Sequence, residues 1–358
     1  MSKQRQDKEK LKKLIGGMSS EERAMLMELL SGERGGESRD MDGFIAERRF
    51  ASGRVCPICG GVHVQRNGHQ SNGSQKYVCR DCGKSFTIRK DTVFAGTRKD
   101  LATWERYMEC MAQGLSLDRS AAACGITHAT AFVWRHKILD ALGVAADGKA
   151  GLSGIVEADE TFRPVSYKGD ARRFSECGAG REARKRGGGS HTRGLSDELV
   201  CVPCAVDRKG NAVAMVAKLG KCSAEAVGKV LGGRVAKGST LCTDGDKSYR
   251  KFSASNGNSL VQIKGGREVK GIFHIQHVNA YHRFLGRFLD AFHGVSTKYL
   301  NNYLTWNNAV VHTRAGFRQK VADMLDAIAD TLFSETCLKV PKRPPIQILV
   351  KNQLNTKL

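Results

Sequence analysis

The segments Cys56-Pro57-Ile58-Cys59 and Cys79-Arg80-Asp81-Cys82 each contain two cysteines separated by two residues, and a glycine follows each segment. Nineteen residues lie between the two segments. This spacing is typical of a zinc site with four thiolate ligands, because each tight turn presents two sulfurs to the same ion. Since four protein ligands leave no open coordination position, the sequence predicts a structural Zn²⁺ ion held by Cys56, Cys59, Cys79 and Cys82. The chemistry of the protein is therefore expected elsewhere in the chain.

The composition favours a polyanionic partner. The chain has 358 residues, and its 58 lysines and arginines against 36 aspartates and glutamates give a formal net charge of +22. Nucleic acid is the commonest partner of so basic a protein, and an anionic membrane surface is the alternative. No apolar run is long enough to cross a membrane, and the lysine-rich stretch after Met1 does not resemble a signal peptide. We therefore expect a cytoplasmic, nucleoid-associated protein without a membrane partner, whose cysteines are kept reduced.

Changes in composition divide the chain into five predicted parts. Residues 1–49 form a polar arm with one short helix, which a capping-box pattern at residues 19–22 predicts. The other parts are the zinc ribbon at 50–92, a helical region at 98–145, a region of strands and helices at 152–310, and a C-terminal helical segment and tail at 311–358. The element order in the fourth part predicts a mixed β-sheet flanked by helices, and hence an α+β fold.

Residues 117–137 have a helix-turn-helix pattern. An alanine-rich helix ends at Gly125, a short turn follows, and a second helix carries Arg135 and Lys137. The pattern is typical of DNA-binding modules. An ordinary helical hairpin that buries its alanines and Trp134 is the alternative, and the pattern alone rates the two about equally. The basic chain and the neighbouring ribbon favour DNA, so Arg135 and Lys137 are predicted to bind it.

Three polar residues stand at the ends of predicted elements. Asp159 follows a predicted strand at 154–158, Asp244 follows one at 239–243, and Asn279 opens a predicted helix. Carboxylates at strand ends of a mixed sheet can meet at one edge and hold two divalent cations about 4 Å apart. Mg²⁺ prefers such oxygen ligands. A turn or helix-capping role for each aspartate is the alternative, and the two positions alone do not decide against it.

Six further segments carry a resemblance to a known family. They are residues 155–162 (IVEADETF), 166–169 (SYKG), 184–188 (RKRGG), 242–245 (CTDG), 277–282 (HVNAYH) and 292–306 (FHGVSTKYLNNYLTW). With these segments, residues 50–310 resemble bacterial insertion-sequence transposases that have an N-terminal zinc ribbon and an RNase H-like catalytic core. The last segment is the most specific match. The resemblance implies that the mixed sheet has the RNase H-like fold of DDE-type enzymes.

The resemblance also implies a triad of two aspartates and a third ligand that binds two Mg²⁺ ions. The matching residues are Asp159, Asp244 and Asn279, with 34 residues between the last two. Most such enzymes have glutamate as the third ligand, but one branch has asparagine, and Asn279 fits that branch. A basic residue is expected seven positions after the third ligand. That position is Gly286 here, and the adjacent Arg287 is the predicted substitute.

Other residues near the triad are predicted to contact DNA. His282 lies one helical turn beyond Asn279, so we expect it at the catalytic site, and a structural histidine is the alternative. The glycine-rich, basic run at 181–193 is predicted to be a loop that contacts phosphates, and a solvated loop is the alternative. The predicted DNA contacts in this part of the chain are Lys168, Arg184, Lys185, Arg186 and Arg287.

The sequence therefore predicts a metal-dependent DNA transposase. Its partners would be double-stranded DNA, at both the element ends and the target, and further copies of itself when assembled on that DNA. An inactive DNA-binding regulator that keeps the core as a scaffold is the first alternative, and Asn279 and Gly286 favour it. A zinc-ribbon protein of the transcription machinery is the second, although a ribbon alone would not need the segments at 155–306.

Overall fold

The structure is a computed structural model that describes residues 16–19, 22–23, 40–71, 73–147, 151–170, 195–263, 269–333 and 335–344. Ser19 and Glu22 form the predicted capping box. The Glu22 carboxylate accepts a hydrogen bond from the Ser19 N–H at 2.7 Å, and Ser19 Oγ accepts one from the Glu22 N–H at 3.1 Å. Helix α1 (Met41–Arg49) follows, and the Asp40 side chain caps it by accepting hydrogen bonds from first-turn N–H groups.

The four cysteines lie on a small antiparallel sheet. Its strands are β1 (Val64–His69), β2 (Gln75–Cys79) and β3 (Ser85–Thr87), in the order β1-β2-β3. Tyr77 on β2 and Phe86 on β3 stack with their ring centroids 5.7 Å apart, and both are buried. So small a sheet buries few apolar side chains, which is why a metal is expected to hold such modules together.

Three helices follow the small sheet. They are α2 (Leu101–Ala112), α3 (Leu117–Ala123) and α4 (His128–Ala146), each capped by a side-chain oxygen, from Asp100, Ser116 and Thr127. Helix α3, the turn and helix α4 have the predicted helix-turn-helix order. Helix α4 continues to Ala146, beyond the predicted end of the helical region at 145.

A mixed sheet forms the second half of the protein. Its strands are β4 (Ile155–Pro164), β5 (Leu199–Asp207), β6 (Ala212–Ala214), β7 (Lys218–Leu219), β8 (Thr240–Thr243) and β9 (Ser259–Gln262). The order is β6-β5-β4-β8-β9, with β7 also paired to β5. Strands β4, β5 and β6 are antiparallel, whereas β8 pairs in parallel with β4 and with β9. The predicted mixed α+β architecture is confirmed.

Helices cover both faces of this sheet. The remaining helices are α5 (Ala224–Leu231), α6 (Lys247–Asn256), α7 (Gln276–Asp290), α8 (Leu300–Trp306) and α9 (Phe317–Asp330), with a 3-10 turn at Thr297–Tyr299 and a π-helical turn at Asn307–Val311. Helices α5 and α6 pack on the face that carries Val156 and Ala158. Helix α7 packs on the opposite face, against residues such as Cys204 and Cys242.

Helix α9 joins the end of the chain to the helical region. It packs against α1, α2 and α4, and α8 packs against α4. Helix α4 is therefore surrounded by neighbours, and a single apolar core runs from the ribbon through the helical region to α7 and α9. No helix of the described residues is long and apolar enough to span a membrane.

This packing corrects the prediction for Arg135 and Lys137, because both side chains are buried, with 1% and 6% of their surfaces exposed. Arg135 donates a hydrogen bond to the Leu115 carbonyl at 2.8 Å, and its guanidinium lies 4.7 Å from the Trp306 ring. Lys137 Nζ donates to the Val93 carbonyl at 3.3 Å. Neither cation reaches the surface, so both tie helix α4 to neighbouring parts of the core, and neither can contact DNA in this conformation.

Candidate functional site

The four thiols of the ribbon converge on one point. The Sγ atoms of Cys56 and Cys82 are 3.9 Å apart, those of Cys59 and Cys79 are 3.7 Å apart, and all four lie within 4.8 Å of one another. Four sulfurs about 2.3 Å from a tetrahedral Zn²⁺ would be about 3.8 Å apart. The cluster is therefore compatible with zinc.

The glycine after each cysteine pair has a structural role. Gly60 and Gly83 have φ angles of 75° and 69°, in the left-handed region where a side chain would be strained. This backbone turn brings N–H groups towards the sulfurs, and the Gly61 N–H lies 3.4 Å from the Cys59 Sγ. The local sequence thus shapes each turn so that both of its thiols face the same side.

Asp159 and Asp244 occupy corresponding positions on neighbouring strands, two residues beyond the point where the parallel pairing of β4 and β8 ends. The parallel register pairs Glu157 on β4 with Cys242 on β8, and Asp159 and Asp244 each follow two residues later. Opposite residues of a parallel pair point to the same face, so both carboxylates belong to one face of the sheet. The prediction that Asp159 follows its strand is wrong, because β4 continues to Pro164 in its antiparallel pairing with β5.

The charge environment of Asp159 reflects this proximity. Burial, then the negative charges of Asp244 and Glu160, raise the pKa of the Asp159 carboxyl to about 7. A like charge has this effect only at short range. Asp159 is half-buried and Asp244 is exposed, so the pair forms an acidic site that opens to solvent where the parallel pairing of β4 and β8 ends.

A buried glutamate anchors helix α7 over this site. Glu157 lies on the same face of β4 as Asp159, and its side chain is only 1% exposed. Its Oε2 accepts hydrogen bonds from the N–H groups of His277 at 2.6 Å and Val278 at 3.1 Å. The residue before α7, Ile275, provides no side-chain cap. The carboxylate of Glu157 therefore caps the positive N-terminus of α7 from the neighbouring strand.

Three further side chains surround the other oxygen of Glu157. His277 Nδ1, Arg208 Nη1 and His274 Nδ1 lie 2.7, 3.0 and 3.2 Å from Glu157 Oε1. Arg208 Nη1 also lies 2.7 Å from His274 Nε2 and 2.8 Å from His277 Nδ1. Glutamate and two histidines are a possible ligand set for a metal. Here the arginine already supplies the positive charge, so the cluster is a hydrogen-bonded anchor.

Helix α7 brings the remaining predicted triad residue to the same face. Asn279 lies in its first turn, directly after the anchored Val278, and is half-buried. His282 shares the Asn279 face one turn later, and its Nδ1 lies 3.8 Å from Asp159 Oδ2. Burial and then the charge of Arg163 lower the pKa of His282 to about 4. The imidazole is therefore neutral near pH 7 and can accept or donate a hydrogen bond.

The other predicted DNA contacts have different surroundings. Lys168 Nζ donates to three successive backbone carbonyls, of Phe292, His293 and Gly294, at 2.8, 3.2 and 2.9 Å. An ammonium has three donors, so Lys168 holds the loop after α7 with all of them. The residue is exposed, and its contact with DNA stays a prediction. Arg287 is exposed on α7. Arg184, Lys185 and Arg186 lie outside the described residues.

Sequence analysis missed the roles of Glu157 and Arg163. Glu157 is an apolar-flanked glutamate two residues before Asp159, and a charged residue at an inward-facing strand position was the available signal. Arg163 gave no local signal of its own. Glu157 binds the start of α7 and Arg163 lies opposite Gly286, each more than forty residues away, which spacing along the chain does not reveal.

Comparison with known proteins gives two matches. Residues 151–306, which contain the sheet and helices α5 to α8, match the family model described as the ISXO2-like transposase domain. The chain is also 24% identical over 290 residues to an uncharacterised protein in the transposable element ISH50 of Halobacterium salinarum, covering 80% of this chain and 94% of that protein. Both matches support a transposase.

Proposed function

We propose that this chain is a DNA transposase whose sheet has the RNase H-like fold, with Asp159, Asp244 and Asn279 as its catalytic residues. The observation that carries the proposal is the placement of the two aspartates. They occupy corresponding positions on neighbouring strands, on one face of a mixed sheet, inside the region that matches a transposase domain. The helices on both faces of the sheet, and the helix that brings Asn279 to the same face, give further support.

The residues fit a pair of Mg²⁺ ions. Burial and then the negative charge of Asp244 raise the pKa of Asp159 to about 7, as expected for a pair of carboxylates that lacks a cation. Asp159 and Asp244 would hold the ions, and Asn279 would add a neutral amide oxygen. Bound there, the ions would supply Lewis acidity at both the attacking and the leaving oxygen of a phosphodiester.

The chemistry consists of two in-line displacements at phosphorus. In the first, the oxygen of a water bonds to phosphorus while the bond from phosphorus to the 3′ oxygen of the element end breaks. In the second, that 3′ hydroxyl bonds to a phosphorus of the target and displaces another 3′ oxygen. His282, neutral and close to Asp159, is placed to hydrogen-bond the water or the scissile phosphate. One site serves both steps because the geometry of displacement is the same.

Zinc binding should be lost when one ribbon cysteine is replaced. In Cys79→Ser, a buried ligand is removed, and the remaining thiols cannot close the tetrahedron. Because metal binding supplies much of the folding free energy of so small a module, the ribbon should unfold. The measurement is metal content by atomic emission together with limited proteolysis at residues 50–92. Cys337→Ser, at an exposed cysteine far along the chain, is the matched control. One zinc per chain retained in Cys79→Ser would contradict the assignment.

Stabilisation by magnesium should increase with pH. The unfolded chain titrates aspartate near pH 4, whereas the pKa of Asp159 in the fold is raised to about 7. Without metal, the contribution of this group to stability is therefore lost as the pH rises from about 4 to about 7. Since Mg²⁺ binds the ionised form, the gain in melting temperature on adding MgCl₂ should be small at about pH 5.5 and larger at about pH 8. Asp159→Asn should lose this pH dependence, and an equal gain at both pH values in the wild type would contradict it.

The proposed function is tested by cleavage of a DNA fragment that carries the inverted repeats flanking the gene. Wild-type protein with Mg²⁺ or Mn²⁺ should release a 3′ hydroxyl at the boundary of the repeat. A second product should then appear, in which this end is joined to a target duplex. Binding of the repeats without cleavage under either metal would instead identify a DNA-binding regulator.

A further inference from the structure

Arg163 lies on the catalytic face of the sheet, and its side chain has no hydrogen bond or ion pair with another of the described residues. It follows Asp159 by four residues on β4, so its side chain belongs to the same face of the strand. It is half-buried, and among the described residues its buried Nε has no hydrogen-bond partner. A guanidinium is always charged and has five donors, so a partly buried one without an acceptor is costly. The helix that faces it has a glycine at this point, and the missing side chain leaves room for the guanidinium.

That helix is α7, which passes Arg163 at a glycine. Gly286 lies seven residues after Asn279 and four after His282, so these three residues occupy one face of the helix. A Cβ atom at Gly286 would lie 3.3 Å from Arg163 Nη2, which is tighter than an ordinary contact. Glycine in the middle of a helix is unfavourable relative to alanine. Here it provides the space that the guanidinium occupies.

The charge of Arg163 extends into the catalytic site. It lowers the pKa of His282, after the effect of burial, and His282 lies 3.8 Å from Asp159. Burial and then Asp159 raise the pKa of the Cys204 thiol, and the charge of Arg163 opposes this rise. Cys204 pairs with Asp159 on the neighbouring strand β5. A positive charge is therefore held near His282, on the face of the sheet that carries Asp159 and towards the end of α7 away from its anchored N-terminus.

We propose that Arg163 binds a backbone phosphate of the DNA strand that is cut, and that Gly286 is glycine in order to admit it. The inference rests on the proposed function and deepens it by assigning the phosphate contact. A basic residue was expected at position 286 of the helix, and the structure supplies the cation at that place from strand β4 instead. The planar fork of arginine suits two oxygens of one phosphate. Arg287, the other candidate, lies about 100° further round the helix.

The test uses the full-length chain and the cleavage assay described above. Arg163→Gln should lower the cleavage rate about 100-fold, the cost of removing one donor to a charged transition state. DNA affinity should change little, because many phosphate contacts share the binding. Arg163→Lys should retain part of the rate. Arg318→Gln removes one exposed positive charge from α9 and is the matched control, with a rate close to that of the wild type.

A substitution at Gly286 provides a second test. If Gly286 served only the stability of the helix, melting temperature and cleavage rate would not change in opposite directions. Gly286→Ala should raise the melting temperature, because alanine favours the helix, yet lower the cleavage rate several-fold, because the new Cβ displaces the guanidinium. In Arg163→Gln/Gly286→Arg the cation returns from the helix side. Part of the lost rate should return with it.

The outcomes separate this inference from the proposed function. If wild type cleaves and Arg163→Gln cleaves equally well, or if Arg287→Gln shows the larger loss, the assignment to Arg163 is wrong while the transposase stands. If wild type never cleaves, the proposed function fails, and melting in inorganic phosphate at constant ionic strength then decides on Arg163. Phosphate should raise the melting temperature of wild type more than that of Arg163→Gln. Equal shifts would overturn the phosphate contact.

Discussion

Replacing Asp159 or Asp244 by asparagine should each abolish DNA cleavage while leaving DNA binding intact. The two side chains provide the negative charge of the proposed metal site, and each follows by two residues the paired Glu157 and Cys242 of strands β4 and β8. Asparagine keeps the shape of the side chain but removes the charge, so we expect the rate to fall at least about 1,000-fold, or about 4 kcal/mol of transition-state stabilisation. The measurement is single-turnover cleavage of the element end, with binding followed separately by gel shift.

The effect should depend on position and not on charge alone. Asp323→Asn removes the same charge from an exposed position on α9, and its cleavage rate should stay near that of the wild type. Asp159→Asn also removes the group with the raised pKa, so it should melt no lower than the wild type above pH 7 in the absence of metal. Wild-type cleavage rates in both aspartate variants would mean that the catalytic residues lie elsewhere.

The features that could be predicted from the sequence are those carried by local patterns. The cysteine spacing indicated the metal cluster, because both ligands of each turn lie within four residues of each other. The continuous apolar run at 199–206 indicated strand β5, which is buried along nearly its whole length. Helix α6 and strand β9 were not predicted. Only four residues of α6 are buried, and β9 has four residues with none fully buried, so neither gives a strong periodic pattern.

The sequence could not indicate which charged residues are buried. Lysine and arginine are rarely buried unless paired, so the placement of Arg135 and Lys137 at the surface was the expected choice. Their burial depends on acceptors at Leu115 and Val93 and on the ring of Trp306, which tertiary packing brings together. The same holds for Arg163, whose space exists only because Gly286 lies opposite. Long-range contacts decide these positions, and local propensity carries no information about them.

Glu157→Ala should cause the largest loss of stability among the single changes proposed. The substitution removes the buried acceptor of two N–H groups at the start of α7 and leaves the half-buried Arg208 without its carboxylate. Breaking a buried pair from one side costs about 3–5 kcal/mol. The free energy of unfolding, measured by urea denaturation, should therefore fall by about that amount. Glu225→Ala, at an exposed glutamate paired with Lys229 on α5, should leave it nearly unchanged.

The catalytic consequence of Glu157 can be separated from folding with milder variants. Glu157→Gln keeps an oxygen for the N–H groups of α7 but loses the charge, so the chain should fold with a smaller loss of stability, of about 1–3 kcal/mol. In Glu157→Gln/Arg208→Met the uncompensated cation is also removed, and the double variant should be more stable than the sum of the two single losses predicts. Its cleavage rate should nevertheless stay low, because a neutral amide without the contact to Arg208 holds α7 less firmly in the position where His282 faces Asp159. If the folded double variant cleaves like the wild type, Glu157 contributes stability alone and does not position the catalytic helix.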